Sequence, residues 1–167
     1  MERAIKIKNK GGFTLIELII VVAIIALLAA ATFVAVDPAK RIGDTQNAQR
    51  WSDVTALADA WAAYVADNNG IDPATVAADG TGYQIDTLGH SSSGGTICTA
   101  TNTADGGMLD IDQLVSSGYI GTIPYDPNTN LVNGSTSTNY YFTKYASGII
   151  YIGACDTYNS ATIQVAR

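Results

Sequence analysis

Few residues in this chain of 167 are equipped for chemistry. It holds one histidine, His90, two cysteines, Cys98 and Cys155, and after residue 2 a single glutamate, Glu17. Nucleophilic triads and His/Cys metal sites therefore have almost nothing to draw on, and an enzyme is the weakest class of reading. Glu17 is different because of its company. From Phe13 to Val36 the chain runs 24 residues with that one charge and only Thr14 and Thr32 as other polar side chains. A carboxylate in a membrane-length apolar run costs about 2.5–3.5 kcal/mol even on the lenient insertion scale, so it needs a partner and a purpose.

The remaining candidates are weaker. His90 with Ser91-Ser92-Ser93-Gly94-Gly95 invites a catalytic or phosphate-loop reading, but no second His, no closing Lys-Ser/Thr and no strand-to-helix context accompanies it. Asp126, Asn128 and Asn130 alternate like the first ligands of a calcium loop, yet the glycine and closing glutamate of an EF-hand are missing, and turn chemistry accounts for Asp-Pro-Asn equally well. Asn133-Gly134-Ser135 is a formal glycosylation sequon. No cofactor is called for by any of these.

A helix over residues 13–36 is roughly 36 Å long, enough to cross a hydrocarbon core of about 30 Å. A secretory signal would end its apolar core sooner and offer a small-residue cleavage site, which is absent before Asp37-Pro38-Ala39-Lys40-Arg41. A plain anchor explains the basic flank Arg3, Lys6, Lys8 and Lys10, which holds that end in the cytoplasm, but not Glu17. If a peptidase cut between Gly12 and Phe13, the new α-amino group would be a cation available to Glu17 of a neighbouring copy. At an effective dielectric of about 20 that attraction is of order 4 kcal/mol at 4 Å before desolvation, so it sets register more than it adds stability.

The basic leader, Gly12, Phe13-Thr14-Leu15-Ile16-Glu17-Leu18 and the run Ile19 to Ala30 together resemble the bacterial type IV pilin and pseudopilin family. The resemblance covers residues 6–36. It implies that a prepilin peptidase cuts after Gly12, that Phe13 becomes the N-methylated terminus, and that Phe13 and Glu17 guide assembly into a filament. It also implies the partners: further copies and related pilins, an assembly ATPase with its inner-membrane platform, and membrane lipid before assembly. Many family members carry a proline where this chain has Val34; the first proline here is Pro38.

Those residues need elements to position them. Asp37-Pro38 either bends the helix by removing an amide and crowding Val34, or caps a second helix with proline in its first turn. From Thr45 to Asn69 the apolar spacing of Ala48, Trp51, Val54, Leu57, Ala58, Trp61, Tyr64 and Val65 predicts an amphipathic helix, with Asp53, Asp59 and Asp67 elsewhere around the turn. Asn68-Asn69-Gly70 stops it. Residues 71–107 hold seven Gly, seven Thr and three Ser and read as a long loop or a short-strand excursion. A short helix over 109–117 ends at Gly118, and Tyr140–Tyr145, Ile149–Cys155 and Thr162–Val165 read as an antiparallel meander. Its apolar face is expected to cover Trp51, Leu57, Trp61 and Val65.

The resulting expectation is an α+β chain: leader 1–12, transmembrane and assembly helix 13–36, amphipathic helix 37–69, and a head over 70–167 with a small antiparallel sheet of three or four strands. Of nine Lys and Arg, four lie in the leader, and of fifteen Asp and Glu only one does, which leaves the rest near −9. Such acidity argues against a nucleic-acid partner. The cysteines both fall in the exported part, where a Cys98–Cys155 disulfide is the natural pairing, worth roughly 4 kcal/mol in the chain-entropy picture. The expected role is a structural subunit of a type IV pilus, held in the inner membrane before assembly and displayed at the cell surface afterwards. A type II secretion pseudopilin is the alternative, and a membrane-anchored binding domain that never polymerises is the rival from another class.

Overall fold

A computed structural model describes residues 11–87, 105–128 and 137–167. Two compact units divide the chain between Arg41 and Ile42. The first contains helix α1, Leu15–Val36. Its residues are apolar on every side and none is buried, so its stability as a helix owes nothing to packing within the chain. By length and composition it is able to cross a membrane.

The helix ends at Asp37, whose φ of 42° is left-handed, and helix α2 (Pro38–Asp67) begins at the next residue. Both sequence readings of Asp37-Pro38 hold at once. Pro38 disfavours a right-handed helical conformation for the residue before it, which breaks the run, while the Asp37 carboxylate accepts the amide of Lys40 at 3.2 Å and so caps α2. At the other end Asn69 and Gly70 are left-handed, and the amide of Gly70 bonds the carbonyl of Val65 at 2.8 Å, the expected stop.

The second unit is the head. Strands β1 (Gly82–Asp86), β2 (Asp105–Asp110), β3 (Ser137–Lys144), β4 (Ile150–Ala154) and β5 (Gln164–Ala166) form one sheet in the order β2-β1-β3-β4-β5, and helix α3 (Asp112–Ser116) follows β2. The α+β architecture is as expected, with a helix against a small sheet, but the sheet is larger and mixed. The meander β3-β4-β5 is antiparallel, whereas β1 and β2 pair in parallel. Both extra strands come from the stretch read as a long loop or a short-strand excursion, or overlap its end, and the second of those readings holds there. Gly-Tyr-Gln-Ile-Asp and Asp-Gly-Gly-Met-Leu-Asp have little strand propensity of their own, and their pairing with β3 and with each other overrides it. Leu109 accordingly lies in β2, and the short helix starts later than its sequence signal.

The core between α2 and the sheet holds Val54, Leu57, Trp61 and Tyr64 against Ile85, Leu109, Phe142 and Ile152. The rings of Trp61 and Phe142 sit 4.2 Å apart at 33°. Trp51 is a correction: it is 45% exposed, and Ala48 is exposed as well. The sheet meets α2 on the face of Arg50, Val54, Leu57 and Trp61, which turns Trp51 about 100° away from Arg50. Asp53, expected on the outer side, is buried. Across the strands Tyr141 pairs with Gly153, and a Cβ on that glycine would fall 2.5 Å from the ring, so the tyrosine lies directly over the neighbouring backbone.

Candidate functional site

The N-terminal site is built by the first turn of α1. Thr14 is the N-cap, with extended φ and ψ of −79° and 152°. Its hydroxyl accepts the amide of Glu17 at 3.3 Å, while the Glu17 Oε2 accepts the Thr14 amide at 2.9 Å and the Thr14 hydroxyl at 2.8 Å. This is a reciprocal capping box, satisfying orphan donors at a helix start. Two consequences follow for the chemistry. The carboxylate is held at the end of the apolar helix by its own chain, which offsets part of the cost of carrying it there. Both bonds fall on Oε2, so among the described residues nothing donates to Oε1. Phe13 lies just ahead of the cap and is 92% exposed, and Gly12 has open space around its Cα, leaving the 12–13 peptide accessible. Thr14 escaped the sequence reading although Thr14-x-x-Glu17 is itself a capping signature.

The calcium-loop candidates are arranged otherwise. Asp126 is 2% exposed and its two oxygens receive Arg50: Nε to Oδ2 at 2.7 Å and Nη2 to Oδ1 at 2.8 Å. The Asn128 amide adds a bond to Oδ1 at 2.8 Å, and Asn139 reaches Oδ2 at 3.4 Å. Asp126 thus serves as the counter-ion of an arginine that is itself 1% exposed. The carboxylate closes a turn and an ion pair, and no set of three metal-ligating side chains occurs among the described residues. Asn130, His90, the serine run 91–93, Cys98 and the Asn133 sequon lie outside the described residues. Cys155 is buried beside Tyr141 after β4, and no cysteine among the described residues is free.

Arg50 and its surroundings are the main feature missing from the sequence reading. Its third donor, Nη1, bonds Asn47 Oδ1 at 2.9 Å. One turn further along α2, Asp53 accepts the Tyr140 hydroxyl and Gln49 Nε2, each at 2.7 Å. Burial pushes the Tyr140 phenol far above its ordinary pKa, and the Asp53 carboxylate reinforces the shift by accepting the proton it would lose. A polar ladder therefore ties α2 to the loop after α3 and to β3. Its only sequence signal is that Arg50 stands four residues before Val54, on the apolar face.

Comparison with known proteins returns one family. Residues 7–33 match the prokaryotic N-terminal methylation motif, the signature of type IV pilins and pseudopilins. The chain carries that motif on the exposed apolar helix and its capping turn. No curated protein and no solved structure matches the chain. The motif implies processing by a prepilin peptidase and a structural, filament-type class of protein, and the apolar helix suggests anchoring in a membrane before that.

Proposed function

We propose that the chain is the structural subunit of a type IV pilus-like filament, cut between Gly12 and Phe13, N-methylated on Phe13, and polymerised through α1. The observation that carries this reading is the coincidence of the methylation motif with a 22-residue apolar helix of which no residue is buried. Such a helix needs lipid or other copies of itself around it. In the assembled state the free Oε1 of Glu17 takes the α-ammonium of Phe13 from a neighbouring copy, with Thr14 keeping the carboxylate in place. Further copies, an assembly ATPase and its membrane platform are the implied partners, and the surface filament is the destination. A Cys98–Cys155 disulfide fits the absence of a free cysteine among the described residues.

A secretion pseudopilin is less favoured, because the resemblance to pseudopilins implies calcium binding near Asp126 in some of them, and here that carboxylate is committed to Arg50. A membrane-anchored domain that never polymerises would use Glu17 only as a helix cap, and its Oε1 would have no role. The test is the intact mass and N-terminal sequence of the protein in sheared cell-surface material. A chain beginning at Phe13 with one added methyl group is expected. A chain still carrying residues 1–12, and found only in membranes, would refute the proposal.

A further inference from the structure

The C-terminal turn that contains the short 3-10 segment Tyr158–Ser160 sits on the head's first hold on α2. Gly43 is the first buried residue of that helix. A Cβ on it would lie 2.2–2.5 Å from ring carbons of Tyr158, so the ring rests on helix backbone where any side chain would displace it. One turn on, Asn47 exchanges two bonds with the backbone of Tyr158: its Nδ2 donates to the carbonyl at 3.0 Å and its Oδ1 accepts the amide at 2.9 Å. The same Oδ1 accepts Arg50 Nη1, so the contact is braced by the buried Arg50–Asp126 pair. Asn159 and Ser160 are both left-handed, at φ 56° and 52°. For residues with a Cβ that conformation costs of order 1 kcal/mol or more each. Among the described residues one side-chain bond closes the turn from within, Thr157 Oγ1 to the Ala161 carbonyl at 2.5 Å. Its shape therefore depends on what it is docked against.

We infer that residues 156–161 act as a strap whose closure on Gly43 and Asn47 sets the point where the head releases α2. After Gly43 the next buried residue of the helix is Arg50. Opening the strap therefore moves the first buried position of the helix from Gly43 to Arg50, seven residues on, about two turns or ~10 Å of helix. The helix leaving the head has two lengths, one with Tyr158 seated and one without. In a filament subunit this changes how much of α2 the head holds; that consequence rests on the filament reading, while the strap itself does not.

Hydrogen exchange on the full chain in detergent micelles, read by mass spectrometry, tests it without any filament, so failure of the filament reading and failure of the strap remain separate. Tyr158→Ala and Gly43→Ala should each raise exchange across residues 43–49 at least tenfold and leave residues 54–64 unchanged. Tyr158→Phe, which keeps the ring, should behave as the parent chain. Unchanged exchange over 43–49 in both alanine variants would overturn the inference. So would a common rise over 43–49 and 54–64, since the turn would then support the whole head rather than its first hold on the helix.

Discussion

Replacing Asp126 by Asn keeps the shape of the side chain and removes only its charge, which leaves the Arg50 guanidinium in the core without a counter-ion. Arg50 and Asp126 are almost wholly inaccessible and joined by two parallel bonds of 2.7 and 2.8 Å. Removing one member of such a pair costs about 3–5 kcal/mol, mostly as the desolvation of the charge left behind. The head unit spans Ile42–Arg167. At about 2.1 cal/mol/K per residue of unfolding entropy, 1 kcal/mol corresponds to about 4 °C, so the expected fall in Tm is about 10–20 °C. Arg50→Met should cost a similar amount, through the stranded carboxylate. The double variant should cost at least ~2 kcal/mol less than the two single changes added, because neither charge is then stranded. Thermal and urea unfolding of the chain in mild detergent, followed through Trp61 fluorescence, gives all four corners of the cycle. A cost below about 1 kcal/mol for Asp126→Asn, or additive single changes, would refute the claim that this pair is desolvated and coupled.

Tyr140→Phe should destabilise the head by about 1–3 kcal/mol, because Asp53 then lacks its buried donor. Since the folded phenol titrates far above the unfolded one, its contribution is fully present below about pH 10 and is lost as pH rises beyond that; a pH series of urea midpoints should show the alkaline decline weakened in Tyr140→Phe. Gly153→Ala places a methyl carbon 2.5 Å from the Tyr141 ring and should cost about 1–3 kcal/mol in the same assay, with the pair Gly153→Ala/Tyr141→Ala recovering part of it. Glu17→Ala should leave the protein in the membrane fraction and remove it from sheared filaments, while Thr14→Ala, which keeps the carboxylate but loses its hydroxyl partner, should reduce the filament yield without abolishing it. Immunoblots of the two fractions decide between these outcomes, and filaments from Glu17→Ala cells would contradict the assembly role.

What could be read without a structure is contiguous in the chain. The methylation motif, the apolar run and the stop at Asn68-Asn69-Gly70 each act through neighbours in sequence, and partition into lipid or a local turn needs no distant residue. The break at Asp37-Pro38 belongs here too, because proline restricts the residue before it wherever it stands. The strands β3 to β5 were equally plain, since alternating aromatic and β-branched residues around Ala146-Ser147-Gly148 leave few other conformations.

Only the tertiary structure decided which face of α2 is inside. Periodicity allowed Trp51 and Arg50 to exchange places, and the outcome depends on Asp126, 76 residues away, supplying the carboxylate that makes a buried arginine tolerable. β1 is a strand because β3 offers an edge, and β2 because β1 then offers the next, although their glycines and aspartates argue for loop. Gly43, which reads as a weak point of a helix, is instead the seat of Tyr158, a contact between residues 115 positions apart. The chain's own order thus determined its processing motif, its apolar helix and how that helix is capped. Burial of polar groups and close approach of backbones were settled by long-range partners, because the cost of each depends on what stands opposite.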